Sequence, residues 1–183
     1  MIFCILVINS NLFSQTRLNN IEVLGTDSIT KQCWPIYFDS RFQLDPIAQS
    51  TKQIEIRLYE LDGPHIKCKI LWFDGNTWNG RVALPLFADD NETTTLNRHL
   101  DLDSILDSLV QNRIFTLPDQ RLLSLDGWVT DGVQYCISYK IFNKYRSYDF
   151  ANPDIFYTVF EKNRSVKELF NYISIIRIFG KLF

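Results

Sequence analysis

Histidine is nearly missing from this chain of 183 residues: only His65 and His99 are present. That scarcity removes most mechanisms that rely on an imidazole base or a His-rich metal cage. His65 and Cys68 stand three apart in a stretch with strand alternation, so they point to opposite faces and form no local nucleophile–base pair. The four cysteines, at positions 4, 33, 68 and 136, never occur as CxxC, and widely spaced cysteines more often fill cores as small hydrophobes than hold metals. Glycine (7) and proline (6) are sparse, and no tract rich in them divides the chain, so a single domain is expected. Excess positive charge is absent too. Nineteen Lys and Arg face 21 Asp and Glu, interleaved to a net charge of −2, which excludes the basic footprint of a nucleic-acid binder. The apolar run Ile2–Ile8 is too short to span a bilayer. No GxGxxG, GxxxxGK[ST], HExxH or GxSxG occurs, so no cofactor is implied.

What the chain does have is 46% hydrophobic residues and an aromatic share of 14%, a globular composition that suits a sheet. The clearest local signal runs from Asp126 to Asp154. Val133, Tyr135, Ile137, Tyr139 and Ile141 alternate with Gln134, Cys136, Ser138 and Lys140, the period of a half-buried strand. Asp131-Gly132 and Asp126-Gly127 precede it as turns, because glycine accepts positive φ. Asn143-Lys144 predicts a reversal into a second strand, Tyr145–Phe150, which Asn152-Pro153 stops.

An earlier hairpin is predicted from Gln53–Glu60 and His65–Phe73 around Asp62-Gly63-Pro64. In the first strand Ile54, Ile56 and Leu58 face inward and Glu55, Arg57 and Tyr59 outward. A further short strand is expected at Val82–Leu84, then a polar loop over Ala88–Thr95. Cys33–Phe38 reads as an edge strand or extended arm, demoted by Pro35.

Leu102, Ile105, Leu106, Leu109 and Val110 recur at the spacing of one helix face, with Asp101 or Asp103 as N-cap. Ser165-Val166-Lys167-Glu168 has the form of a capping box before a second helix, and Gly180 is its expected stop. These elements predict an α+β fold, an antiparallel sheet built from two β-hairpins with two helices packed on one face.

The Ile2–Ile8 run followed by Leu12-Phe13-Ser14-Gln15 has the form of a secretory leader, with cleavage expected after Ser14. Residues 1–14 then form a signal peptide and 15–183 the domain, periplasmic or secreted. The alternative is a buried N-terminal strand in a cytoplasmic protein.

Candidate contact residues cluster around the later hairpin. Asp126 and Asp131 flank Trp128, an aromatic platform of the type that holds a sugar or peptide, although two Asp-Gly turns around a core Trp explain the same residues. Arg146, with Lys140 and Lys144, lies near Tyr145 and Tyr148 and could meet an anionic ligand; solvated cations that protect a hairpin edge are the plainer alternative. Asp101, Asp103 and Asp107 lack the further oxygen ligands and glycine of a calcium loop.

From Leu117 onward the pattern LPD…DGVQYCISYK…KYRSYDFANPD, with the final helix and the leader ending, resembles small uncharacterised secreted proteins of Bacteroidetes-type bacteria. That resemblance implies export and no particular activity. The expectation is a non-catalytic module binding a ligand or protein. A hydrolase-like enzyme using carboxylates among Asp126, Asp131, Asp149 and Asp154 is the alternative, as is a cytoplasmic immunity- or inhibitor-type protein if the leader is retained.

Overall fold

The structure, a computed structural model, describes residues 21–23, 35–85, 96–97, 99–123, 125, 132–159 and 165–183. The expected leader, the polar loop 88–95 and the turn carrying Asp126, Trp128 and Asp131 lie outside the described residues.

Two hairpins build the sheet. β1 (Ile54–Asp62) and β2 (His65–Phe73) reverse through Gly63 and Pro64, with Gly63 at a φ of 56°. β3 (Trp78–Ala83) adds to β2, starting earlier than the Val82–Leu84 strand expected there. β4 (Val133–Ile141) and β5 (Lys144–Ala151) form the second hairpin, turning through Phe142 and Asn143, one position before the predicted Asn143-Lys144. β1 pairs antiparallel with β4 from Ile54↔Ile141 to Asp62↔Val133, giving the order β3-β2-β1-β4-β5. The α+β antiparallel architecture is the one the alternation predicted.

One face of the sheet carries the main core. Ile54, Ile56 and Leu58 of β1, Leu71 and Phe73 of β2, Ile137 and Tyr139 of β4 and Tyr148 and Phe150 of β5 are buried there. They are covered by α2 (Leu102–Gln111) and the long helix α4 (Val166–Leu182). Withdrawing one such aliphatic or Phe side chain from water is worth roughly 1.5–3 kcal/mol, which fixes the register against a one-residue slip. Asp101 caps α2 as expected, accepting the Asp103 and Ser104 N–H groups at 3.2 and 3.3 Å. The capping box of α4 does not form: Ser165 makes no side-chain cap bond, and Glu168 pairs with Arg113 at 3.3 Å. Gly180 does not stop α4 either, because packing of Leu182 into the core carries the helix past it.

Two short helices differ from the expected pattern. Pro35 does not head an edge strand; it opens α1 (Pro35–Arg41), where a first-turn proline sacrifices no backbone bond. Pro153 ends the β5 run and also opens α3 (Pro153–Val159). α1 covers the sheet face opposite the main core, with Phe38 and Phe42 packed on Tyr59, Cys68, Ile70, Ala83 and Cys136. Glu55, Arg57 and Tyr59 are therefore buried beneath that cover rather than facing water.

Candidate functional site

Three polar constellations are built into this frame. The first explains residues that the sequence placed at a ligand surface. The segment after α2 is buried at Ile114, Phe115 and Leu117, and its carbonyls need donors. The Tyr148 hydroxyl donates to the Ile114 carbonyl at 2.9 Å and the Tyr139 hydroxyl to that of Phe115 at 2.8 Å. Arg146 Nη1 donates to the Leu117 carbonyl at 2.6 Å, and the Tyr172 hydroxyl to the Pro118 carbonyl. Tyr148 is fully buried and Arg146 is 7% exposed. Both differ from the surface position expected for them: each holds a buried carbonyl in place. Burial pushes the Tyr148 phenol well above its ordinary pKa and that of Tyr139 up to about 12, so both are donors at neutral pH. Tyr145 remains half-buried on β5.

Beside this segment, Asp119 accepts Arg121 Nε at 2.7 Å, Arg121 Nη2 at 2.9 Å and the backbone N–H of Asp149 at 3.3 Å. Burial opposes the Asp119 charge, but hydrogen bonds with Arg121 and Asp149 outweigh it and hold the carboxyl below the usual range. Asp149 also receives Arg121 Nη2 at 3.2 Å. It sits in this arginine-bridged pair, and it does not line the cleft described below, where Asp154 stands.

The second constellation, which alternation alone concealed, lies under α1. Arg57 Nε donates to Glu55 at 2.6 Å, and Nη1 donates to Asp39 at 2.8 Å and to the Asp45 carbonyl at 2.7 Å. The Tyr59 hydroxyl donates to Asp39, Ser50 Oγ to Glu55, and Lys140 Nζ to the Ser50 carbonyl. Burial raises the Asp39 carboxyl, against the lowering bonds from Tyr59 and Arg57. Burial likewise pushes the adjacent Cys68 thiol far up, leaving it an inert thiol rather than a nucleophile. Neither Cys68 nor Cys136 is in a disulfide. This cluster ties α1 and the following segment to the sheet; Arg57 is 3% exposed, so solvent does not reach it. Its sequence trace is the i, i+2 spacing of Glu55, Arg57 and Tyr59, which puts opposite charges on one strand face.

The third constellation is open. A cleft of about 350 Å³ lies where the start of β4, the β5–α3 junction and α4 meet. Val133, Tyr135, Ile155, Ile173 and Ile176 supply its apolar wall. Two of its lining residues approach closely: Gly132 has a φ of 140°, and a Cβ there would lie 1.7 Å from Asn152 Oδ1. Asn152, itself at a φ of 45°, donates its N–H to the Val133 carbonyl, and its carbonyl accepts the N–H of Phe156, each at 3.0 Å. Tyr135 stacks on Phe150 with centroids 5.4 Å apart. Burial, then the charges of Glu60, Asp154 and Asp62, push its phenol up to about 12. Asp154 and Arg177 line the same opening, both exposed, and neither forms an ion pair among the described residues. α3 and α4 also expose Ile155, Val159 (67%) and Phe170 (48%), the last 6.2 Å from the Tyr157 ring.

No family model, curated protein or solved structure matches this chain. Among the described residues no group of three or more His, Cys, Asp and Glu is placed to hold a metal ion. Asp101 serves the helix cap, and Asp103 accepts the Trp78 indole N–H at 3.1 Å. No helix among the described residues is long and apolar enough to cross a membrane.

Proposed function

We propose that this chain is an exported, non-catalytic binding module that meets a ligand or protein at the cleft between β4, α3 and α4. The observation that carries the reading is the contrast between its polar groups. The acidic, phenolic and thiol groups under α1 are sealed and hydrogen-bonded, whereas the cleft is open and apolar-walled, with exposed Ile155 among the residues that line it. Pockets with mostly apolar walls and a few polar groups are what ligand sites look like. Export rests on the leader pattern of residues 2–15.

Two measurements test the reading. An uncharged apolar fluorophore, N-phenyl-1-naphthylamine, should bind with enhanced emission, and Ile176→Trp, which fills the cleft, should abolish that signal while far-UV circular dichroism is unchanged. Equal emission from the filled variant would refute binding at this place. Amino-terminal sequencing of the protein from its native host should begin at Gln15; an intact amino terminus recovered with the cytoplasm would favour the immunity- or inhibitor-type alternative.

A further inference from the structure

Resting on the cleft-binding reading above, we infer that the cleft takes a small zwitterion with an apolar body, of the class of a hydrophobic amino acid or dipeptide. Two charges of opposite sign, unpaired among the described residues, define the class. Arg177, in the C-terminal half of α4, and Asp154, on the first turn of α3, line one opening and do not bridge to each other within 4.0 Å. A lone anion would gain the guanidinium but face the Asp154 carboxylate. A lone cation would meet the reverse problem. A molecule carrying both an ammonium and a carboxylate satisfies the two together, since charge-assisted hydrogen bonds are the strong ones.

The wall chemistry supplies the rest of the specificity. Val133, Ile173 and Ile176 offer aliphatic contact, and Tyr135 among the lining residues carries a protonated hydroxyl that can donate to a carboxylate or peptide oxygen. At about 350 Å³ the volume is at the lower end of the ~300–1,000 Å³ that small-molecule sites occupy, which favours one or two residues over a longer peptide. The rim charges lie on different helices, α3 and α4, which contact each other. Their spacing is thus set by helix packing rather than by a loop.

The full chain is titrated calorimetrically with L-phenylalanine, L-leucyl-L-phenylalanine, N-acetyl-L-phenylalanine and L-phenylalaninamide, with N-phenyl-1-naphthylamine as the uncharged competitor. The zwitterions should bind about tenfold or more tighter than either blocked analogue, the effect of one charged hydrogen bond. Arg177→Gln should erase the preference for L-phenylalanine over its amide, and Asp154→Asn the preference over the N-acetyl form. Both are exposed side chains, so folding is retained and the two losses are separable. A dipeptide outbinding the free amino acid identifies a peptide source, and the reverse a free amino acid. If the blocked analogues bind as well as the zwitterions, or the zwitterions fail to displace a bound naphthylamine, the ligand class is overturned while the cleft stands. If the naphthylamine does not bind either, both readings fall.

Discussion

Replacing Gly132 with alanine isolates a close contact between two residues that line the cleft. Two costs add. At a φ of 140° an L-residue is in a region that is essentially glycine-only, and the new Cβ would lie 1.7 Å from Asn152 Oδ1, closer than any real contact. Backbone strain of about 1–3 kcal/mol and forced repacking of about 1–3 kcal/mol together predict a loss of about 2–6 kcal/mol. That is a large part of the roughly 5–15 kcal/mol that holds a domain of this size. Urea unfolding followed by circular dichroism measures it directly, since the midpoint falls while the slope should not change. A second variant separates the two costs. Asn152→Gly removes the side chain that the Cβ strikes, and glycine tolerates the φ of 45° at that position. The Gly132→Ala loss should be smaller by about 1–3 kcal/mol in the Asn152→Gly background than in the wild type. Gly180→Ala is the control: it is inside α4, nothing lies within 4 Å of the place a Cβ would take, and it should stabilise by up to about 1 kcal/mol. A Gly132→Ala loss below about 1 kcal/mol would refute the argument, because backbone strain alone should reach that value.

Other perturbations probe the buried polar groups. Because burial raises the Asp39 carboxyl, the folded state holds that proton more tightly than the unfolded one; its contribution is fullest below about pH 4 and declines as pH rises through the folded pKa. Asp39→Asn should therefore flatten the decline that begins above about pH 4 in urea midpoints taken upward from that pH, and an unchanged slope would count against it. Tyr148→Phe should cost about 1–3 kcal/mol by leaving the Ile114 carbonyl without its donor, and a near-zero change in urea unfolding would disprove that role. Cys68 should react with a maleimide only at the rate of unfolding, its thiol being buried with a raised pKa; fast labelling of native protein would contradict this. Arg113→Ala, which breaks a partly exposed pair with Glu168, should cost less than about 1 kcal/mol in the same urea titration, and a larger loss would show that the pair does more than a surface contact can.

The strands are legible in the sequence because alternation survives translation into burial: Tyr135, Ile137, Tyr139 and Ile141 keep one side of β4 against the main core. α2 is legible from its apolar spacing and its Asp101 cap. Pro35 and Pro153 mislead because the same residue that breaks a strand also begins a helix, and a seven-residue helix has too little periodicity to tip the balance. Arg146 and Tyr148 look like surface groups because their polar ends imply water. Here those ends reach backbone carbonyls of a segment far away in sequence, a partner that no local pattern announces. The cleft is invisible for a related reason: Tyr135, Asp154 and Arg177 meet only after β4, α3 and α4 have packed.

Each hairpin closes locally, but β1 pairs with β4 across the whole middle of the chain. About 70 residues separate Asp62 from its partner Val133, and closing that span costs about 2 kcal/mol more entropy than closing a ten-residue loop. The central seam of the sheet is therefore its late-forming one, and refolding should be limited by hairpin docking rather than by hairpin formation. Until docking, β1 and β4 each present an open edge, and at high concentration the β4–β5 hairpin of a second molecule fits the same register. A domain-swapped dimer, trapped by rapid refolding and slow to exchange, is the off-pathway product this topology favours.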